Sequence, residues 1–320
     1  MLFSNLFASF CFLAANINNN FNNYVHKYNK NYDGIEYRER LEIYETNMKF
    51  INKHNMLADE GKYTYWLGET QFTDISNEEF RNSKQVGKLT NISSTCNIVS
   101  KYNGSVPDHK NWLEYGIVSS VKNQAQCGSC WAFSATEAVE GVVSLRKGEL
   151  ISLSEQQMVD CSDDYGNQGC GGGWMDSAFE YVIDNKGLCS NASYQYTAQD
   201  GTCNTNCSLI QNTDIKNCSD ISPNIEELVI AYLSQQPLSV AIEADSDTFQ
   251  HYKRGLYNDS SCFEGGLDHG VLLVSYGPEM LRIKNSWDTT WGEDGFMRMA
   301  RTGDGDGMCG IYNKVSFPTF

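Results

Sequence analysis

The alternation of apolar and polar positions divides the chain into stretches of different texture. Residues 2–15 are mostly apolar and end in Leu13-Ala14-Ala15 before a polar run that opens at Asn16. Such a run is short for a bilayer span and reads as a signal peptide over residues 1–15, with a buried helix or short anchor as the alternative. Residues 16–23 are Asn-rich and read as a loose start. Residues 24–57 lack proline and place Leu41, Tyr44, Met48 and Ile51 at helical spacing, which predicts one amphipathic helix punctuated by Gly61. A strand-like run follows at residues 63–67, then Gly68. Residues 84–104 are rich in Ser, Asn and Thr without period and predict a cleavable linker.

A second region opens at Val106-Pro107. Residues 129–147 predict a strong helix, with Ala135, Ala138, Val139, Val142 and Val143 on one face and Gly148 after its end. Helix starts are also predicted at Leu153-Ser154-Glu155 and over residues 174–186, before Gly187. Past Pro223 a helical stretch at 225–233 leads into strand-like runs at 238–242, 270–276, 281–284 and 295–299. Helices followed by strands predict an α+β protein with two lobes.

Charge and cysteine content narrow the function. Acidic residues outnumber basic ones 40 to 24, for a net charge of -16, and no Lys/Arg cluster is present. That argues against a nucleic-acid partner and suits an acidic lumen, where self-repulsion falls as carboxylates protonate. Twelve cysteines in the chain, combined with a signal peptide, imply a disulfide framework in an oxidising compartment. Sequons at Asn91, Asn103, Asn191, Asn206, Asn217 and Asn258 fit the same route. No other stretch is apolar and long enough to span a membrane.

Three segments carry candidate chemistry. In Gln124-Ala125-Gln126-Cys127-Gly128-Ser129-Cys130-Trp131, Cys130 opens the predicted long helix and Ser129 is placed to cap it. The positive end of a helix favours a thiolate, the reactive form of cysteine. A Cys-x-x-Cys pair also fits a redox couple or half a zinc site, but the strand before it and the second ligand pair are missing. In Gly266-Leu267-Asp268-His269-Gly270-Val271, His269 is a candidate general base, flanked by glycines that permit close approach of another chain. In Lys284-Asn285-Ser286-Trp287, an amide oxygen can hold an imidazole in one tautomer and Trp287 can cover that bond.

Residues 124–133 resemble the active-site segment of papain and the cathepsins, and Cys130, His269 and Asn285 follow that family's order. The resemblance runs from about Val106 to the C-terminus. It implies a papain-like peptidase domain over 106–320: a helical lobe, a β-barrel-like lobe and a cleft between them. Cys130 is then the nucleophile, His269 the base, Asn285 its orienter and Gln124 an oxyanion donor. Gly172, Gly173, Trp174 and Met175 match the glycine-rich segment that binds substrate backbone as an added strand. Ala241, Leu267, Asp268, Gly270, Trp287 and Lys314 complete the implied substrate site. Lys314 departs from the small or acidic residues usual there; pointing inward it would discourage basic P2 side chains, and the alternative is that it snorkels to solvent. Asp288 stands where the family usually has Gly after Asn-Ser-Trp. Aspartate tolerates left-handed backbone, and its carboxylate could raise the base's pKa. The implied disulfides are Cys127–Cys170, Cys161–Cys203 and Cys262–Cys309. Cys189, Cys207 and Cys218 are left over, with room for one bridge among them, while Cys11 lies in the signal segment and Cys96 in the linker.

Glu36, Arg40, Tyr44, Asn47, Ile51 and Asn55 lie along one helical side and resemble the signature of the cathepsin L-type inhibitory prodomain, with Tyr44 where Phe is commoner; Gly68, Phe72 and Asp74 resemble its second motif, with Thr70 in place of the usual Asn. Residues 16–105 are therefore expected to be an inhibitory prodomain and linker, lying through the cleft until removed near Val106. The whole implies a monomeric endopeptidase of the secretory pathway, in a lysosome- or vacuole-like compartment or outside the cell. It would act on peptide and protein substrates, with its own prodomain as inhibitor and without metal or cofactor. A peptide-binding protein without catalysis and an oxidoreductase using Cys127 and Cys130 are the competing classes.

Overall fold

The computed structural model describes residues 19–83, 94, 96–264 and 266–320. The expected signal peptide and residues 84–93 and 95 of the expected linker lie outside the described residues.

The single N-terminal helix expected over 24–57 is two helices, α1 at residues 19–27 and α2 at Glu36–Asp59. The break falls where Asn29 takes φ 50° and Asp33 Oδ1 accepts the N–H groups of Ile35 and Glu36 at 2.9 and 3.0 Å. A short acidic side chain that takes backbone amides starts a new helix there. The Asn-rich start is held as helix because Phe21 is fully buried, packed with Tyr24 and Tyr44.

The stripe along α2 does not face water. It braces the chain that follows: β1 (Tyr65–Leu67), a turn, and α3 (Asn77–Ser83). Asn55 donates to the Leu67 carbonyl and accepts its N–H, both at 2.9 Å. Asn47 donates to the carbonyls of Thr73 and Ile75 at 2.9 and 3.0 Å. Tyr44 donates to Glu69 at 2.9 Å, and Arg40 to Glu79 at 2.7 Å. Asp74 is buried and accepts from Tyr24, Lys30 and Tyr32.

The rest of the chain has a helical part and a sheet. Helices α4 (Cys130–Lys147), α5 (Glu155–Cys161) and α6 (Met175–Asn185) come first. The remaining strands are β2 (Asn97–Val99), β3 (Lys110–Asn111), β4 (Asn217–Ile221), β5 (Leu238–Ile242), β6 (Tyr252–Tyr257), β7 (His269–Tyr276), β8 (Met280–Lys284), β9 (Phe296–Ala300) and β10 (Val315–Thr319). Two further helices, α7 (Glu226–Leu233) and α8 (Asp247–Gln250), lie among them. The strands form one ordered path, β1-β6-β9-β8-β7-β5-β10-β4-β2, with β3 beside β7. One large core lies around α4 and α6 and another within the sheet, and Val118 packs on both. Helix α4 is buried from Cys130 to Ser144, so it is the axis of the molecule rather than a surface helix. Among the described residues no helix is long and apolar enough to cross a membrane.

The linker corrects the expectation of a patternless stretch. Residues Asn97–Val99 pair in parallel with Ser219–Ile221, and Cys96 is disulfide-bonded to Cys218 across 122 residues of sequence. The other bridges are Cys127–Cys170, Cys161–Cys203, Cys189–Cys207 and Cys262–Cys309. Cys130 stays outside this framework. The sheet therefore begins ahead of the expected boundary at Val106.

Two outcomes follow from how the N-terminal part is fastened. A cut near Val106 leaves the fragment that carries Cys96 attached through sulfur. After limited proteolysis there, non-reducing electrophoresis should keep the two fragments together. Reductant, or Cys96→Ser, should separate them. The second outcome concerns His251, buried beneath the N-terminal part: its carbonyl accepts from Gly68 N–H at 2.8 Å, Nδ1 lies 3.5 Å from the Thr73 hydroxyl, and Phe50 packs beside it. Burial alone pushes its pKa down to about 3, against about 6.5 in water. The docked state favours neutral imidazole, so docking is strongest above about pH 6.5 and weakens as pH falls toward 3. His251→Gln should flatten the pH dependence of hydrogen exchange in residues 65–75 between pH 6 and 4.

Candidate active site

Two hydrogen bonds fix the helical part against the sheet. Ser134, one turn beyond Cys130, donates its hydroxyl to the carbonyl of Val271, two residues beyond His269, at 2.7 Å. Ser239 on β5 donates to the Ser134 carbonyl at 2.9 Å. Cys130 and His269 therefore sit one step back along the same seam, both fully buried. Gly270 makes the approach possible: a Cβ there would lie 3.2 Å from the Cys130 carbonyl oxygen, Trp131 Cα and Met175 Sδ.

His269 Nε2 lies 2.8 Å from Asn285 Oδ1. An amide oxygen only accepts, so the bond holds the neutral imidazole in the tautomer protonated on Nε2. Trp287 stacks over His269 with ring centroids 4.6 Å apart. Its own edges meet Phe249 and Trp291 from the sheet region, and Phe72 and Phe80 from the N-terminal part. The cover over the His–Asn bond is thus also an anchor for the segment expected to be inhibitory.

Gln124 is fully buried. Its Oε1 accepts from Ser286 Oγ at 2.8 Å and Trp287 Nε1 at 3.1 Å, and one Nε2 proton goes to the Cys127 carbonyl at 3.0 Å. Its backbone N–H donates to the Ser286 carbonyl at 2.9 Å. Gln124 and Trp287 are therefore one unit. Asp288 holds φ 65°, the left-handed conformation that a Gly would supply. Its Oδ1 accepts from Thr289 N–H and hydroxyl at 2.5 and 3.0 Å, so the carboxylate is turned onto its own turn.

The expected substrate positions fall on adjoining elements. Ala241 pairs with Gly270 across β5 and β7, and its N–H donates to the Lys314 carbonyl at 3.0 Å. Met175 is buried against the same place. Gly173 cannot be replaced in this arrangement, since a Cβ would fall 2.4 Å from Asn167 Oδ1 and 2.8 Å from the Trp131 ring. Asn167 Oδ1 also accepts Trp174 N–H at 2.8 Å, which shapes the segment from Gly172 to Trp174. Leu267 and Asp268 are half-buried ahead of His269. Burial pushes the Asp268 carboxyl up to about 8, although it accepts Ala244 N–H at 2.7 Å. The Lys314 ammonium is held between Asp176 at 2.7 Å and Asp220 at 3.0 Å, a pairing the sequence did not suggest.

Sequence reasoning missed the buried ion pair behind the site. Lys284, adjacent to Asn285, donates to Glu137 on α4 at 2.7 Å and to Ser119 at 3.0 Å, with no exposed ammonium surface. Glu137 lies opposite the apolar stripe of the predicted helix, so the helical period does not mark it as buried. The Ser129 side chain, expected to cap α4, makes no bond to its first turn.

Known proteins resemble this chain over nearly its whole length. Residues 106–319 match the family model described as papain family cysteine protease, and residues 21–80 match the cathepsin propeptide inhibitor domain. Cathepsin L of Sarcophaga peregrina is 40% identical over 310 residues, covering 92% of this chain and 91% of that protein. Procathepsin L of Felis catus is 42% identical over 296 residues, covering 89% and 88%. Among solved structures, digestive procathepsin L 3 of Tenebrio molitor larval midgut superposes with TM-score 0.87 at 38% identity, covering 95% and 99% of the two chains. A recombinant stem bromelain precursor gives 0.86 at 36%, with the same coverage.

Lys284→Met should leave Glu137 as an uncompensated buried acid and lower the unfolding free energy by about 3–5 kcal/mol. Denaturant unfolding of the two proteins checks it, and replacing both partners by apolar residues should recover much of the loss.

Proposed function

Because this chain belongs to the papain family of cysteine proteases and carries a cathepsin-type inhibitory propeptide, we propose that it is the zymogen of an endopeptidase that works through Cys130, His269 and Asn285. The reading is supported by the seam between α4 and β7, where Ser134 is bonded to Val271, and by the His269–Asn285 bond that sets the imidazole's tautomer. In this reading the Cys130 thiolate adds to the scissile carbonyl, and the positive end of α4 favours that thiolate. The oxyanion lies toward the Cys130 N–H and the second Nε2 proton of Gln124, a donor worth about 3 kcal/mol in the transition state. His269 as imidazolium then protonates the leaving amine, which gives a thioester. Water, deprotonated by the same imidazole, hydrolyses the thioester and restores Cys130.

The substrate backbone adds as a strand along Gly172 and Gly173, with its P2 side chain between Met175, Ala241 and Gly270. Lys314 presents no free cation there, because two carboxylates hold it. The pocket is therefore apolar in its selection rather than repulsive to basic groups. Trp174, Leu267 and Asp268 form its rim. Residues 16–105 act as the inhibitory prodomain and linker, 106–320 as the peptidase, and residues 1–15 direct the chain into the secretory pathway toward a lysosome-like compartment or the exterior.

The test is to activate the purified precursor at acid pH under reducing conditions, then add an epoxide that alkylates catalytic thiolates. Label should land on Cys130 while peptide hydrolysis stops, and Cys130→Ser should lower kcat on the order of 10⁴–10⁶-fold. Labelling without any hydrolysis would instead make this a binding protein on a protease fold.

A further inference from the structure

The amino end of α4 has an unusual arrangement. Ser129 stands at its N-cap, where a serine hydroxyl ordinarily accepts an N–H from the first turn, yet its side chain makes no such bond. Its Oγ lies 2.6 Å from the Tyr196 hydroxyl instead. Tyr196 has one hydroxyl proton and gives it to the Gln124 carbonyl at 2.7 Å. Ser129 is therefore the donor in the shorter contact, and its hydroxyl is turned away from the helix. The Tyr196 ring is fixed by an edge-on contact with Phe133, centroids 4.9 Å apart. One phenol thus ties together the oxyanion donor Gln124 and the residue before Cys130. Burial, with the fields of Glu155, Cys130 and Asp200, pushes this phenol up to about 12, so it stays a neutral donor while the enzyme works.

The N–H groups of Ala132 and Phe133 already go to the Ser129 carbonyl at 2.8 and 3.1 Å, which leaves the N–H of Trp131 for a capping hydroxyl. We propose that Tyr196 is a positioning residue for the nucleophile: by holding the Ser129 hydroxyl, it keeps that hydroxyl off the Trp131 N–H and leaves the positive field of the first turn to the Cys130 sulfur and the oxyanion. A capping hydroxyl would put an oxygen lone pair on that amide and weaken the field that favours thiolate. The inference rests on Cys130 being the nucleophile.

The test uses processed enzyme and an epoxide alkylating agent, with the second-order rate followed against pH. Tyr196→Phe keeps the ring on Phe133 and frees the Ser129 hydroxyl to swing onto the helix. The rate below neutral pH should fall roughly threefold to tenfold, the acid limb should move to higher pH, and kcat should fall with KM little changed. Adding Ser129→Ala to Tyr196→Phe removes the freed hydroxyl and should restore most of the rate and the acid limb. An unchanged profile in Tyr196→Phe, or a double variant as slow as the single one, would overturn the proposal in favour of a purely structural tyrosine. Failure of the wild type to take label at Cys130 would instead sink the nucleophile assignment beneath it.

Discussion

The rest of the structure depends on the seam between α4 and β7. A hydroxyl from the second turn of the helix reaches a strand carbonyl, and a strand glycine lets the two backbones meet. One such bond contributes about 1 kcal/mol. What it fixes is register: on a strand, a slip of one residue turns every side chain to the opposite face. The groups in the seam lie on different elements more than a hundred residues apart in sequence, so their meeting is a property of the fold.

Behind that seam the protein uses charge where water is excluded. Lys284 and Glu137 join the strand before Asn285 to the middle of α4, and Lys122 joins Glu140 to Glu155 on the neighbouring helix. Buried pairs of this kind contribute little net stability, but they penalise any arrangement that separates them. Trp287 does the complementary work with an apolar face. It covers the His269–Asn285 bond, bonds Gln124 and receives two rings from the prodomain. Inhibitory docking and active-site order therefore share one side chain.

Much of this was legible in the sequence because the signals are local. The 3.6-residue period gave α4, α6 and α7 to within a residue or two, and the strands β5, β7, β8 and β9 stood out as apolar runs. The Cys, His and Asn segments were legible as chemistry by their residue types and flanking glycines. What escaped depends on distant partners. Strand β4 is largely polar and β2 is only three residues long, and each exists because it pairs with something remote in sequence. The division of the N-terminal helix turns on Asp33 and Asn29, whose effect on the backbone outweighs an unbroken period. The stripe on α2 was visible, but its role as a brace for β1 and its turn was not, since acceptors on backbone carbonyls leave no trace in composition.

The N-terminal part supplies the outermost strand at each end of the sheet, β1 beside β6 and β2 beside β4. Losing β1 with the prodomain bares one margin; losing β2 as well would expose the unpaired amides and carbonyls of β4, a ready template for a neighbouring molecule to add itself. The sulfur link at Cys96 holds β2 to β4, so a cut near Val106 would leave that second margin shielded from edge-to-edge addition of another copy.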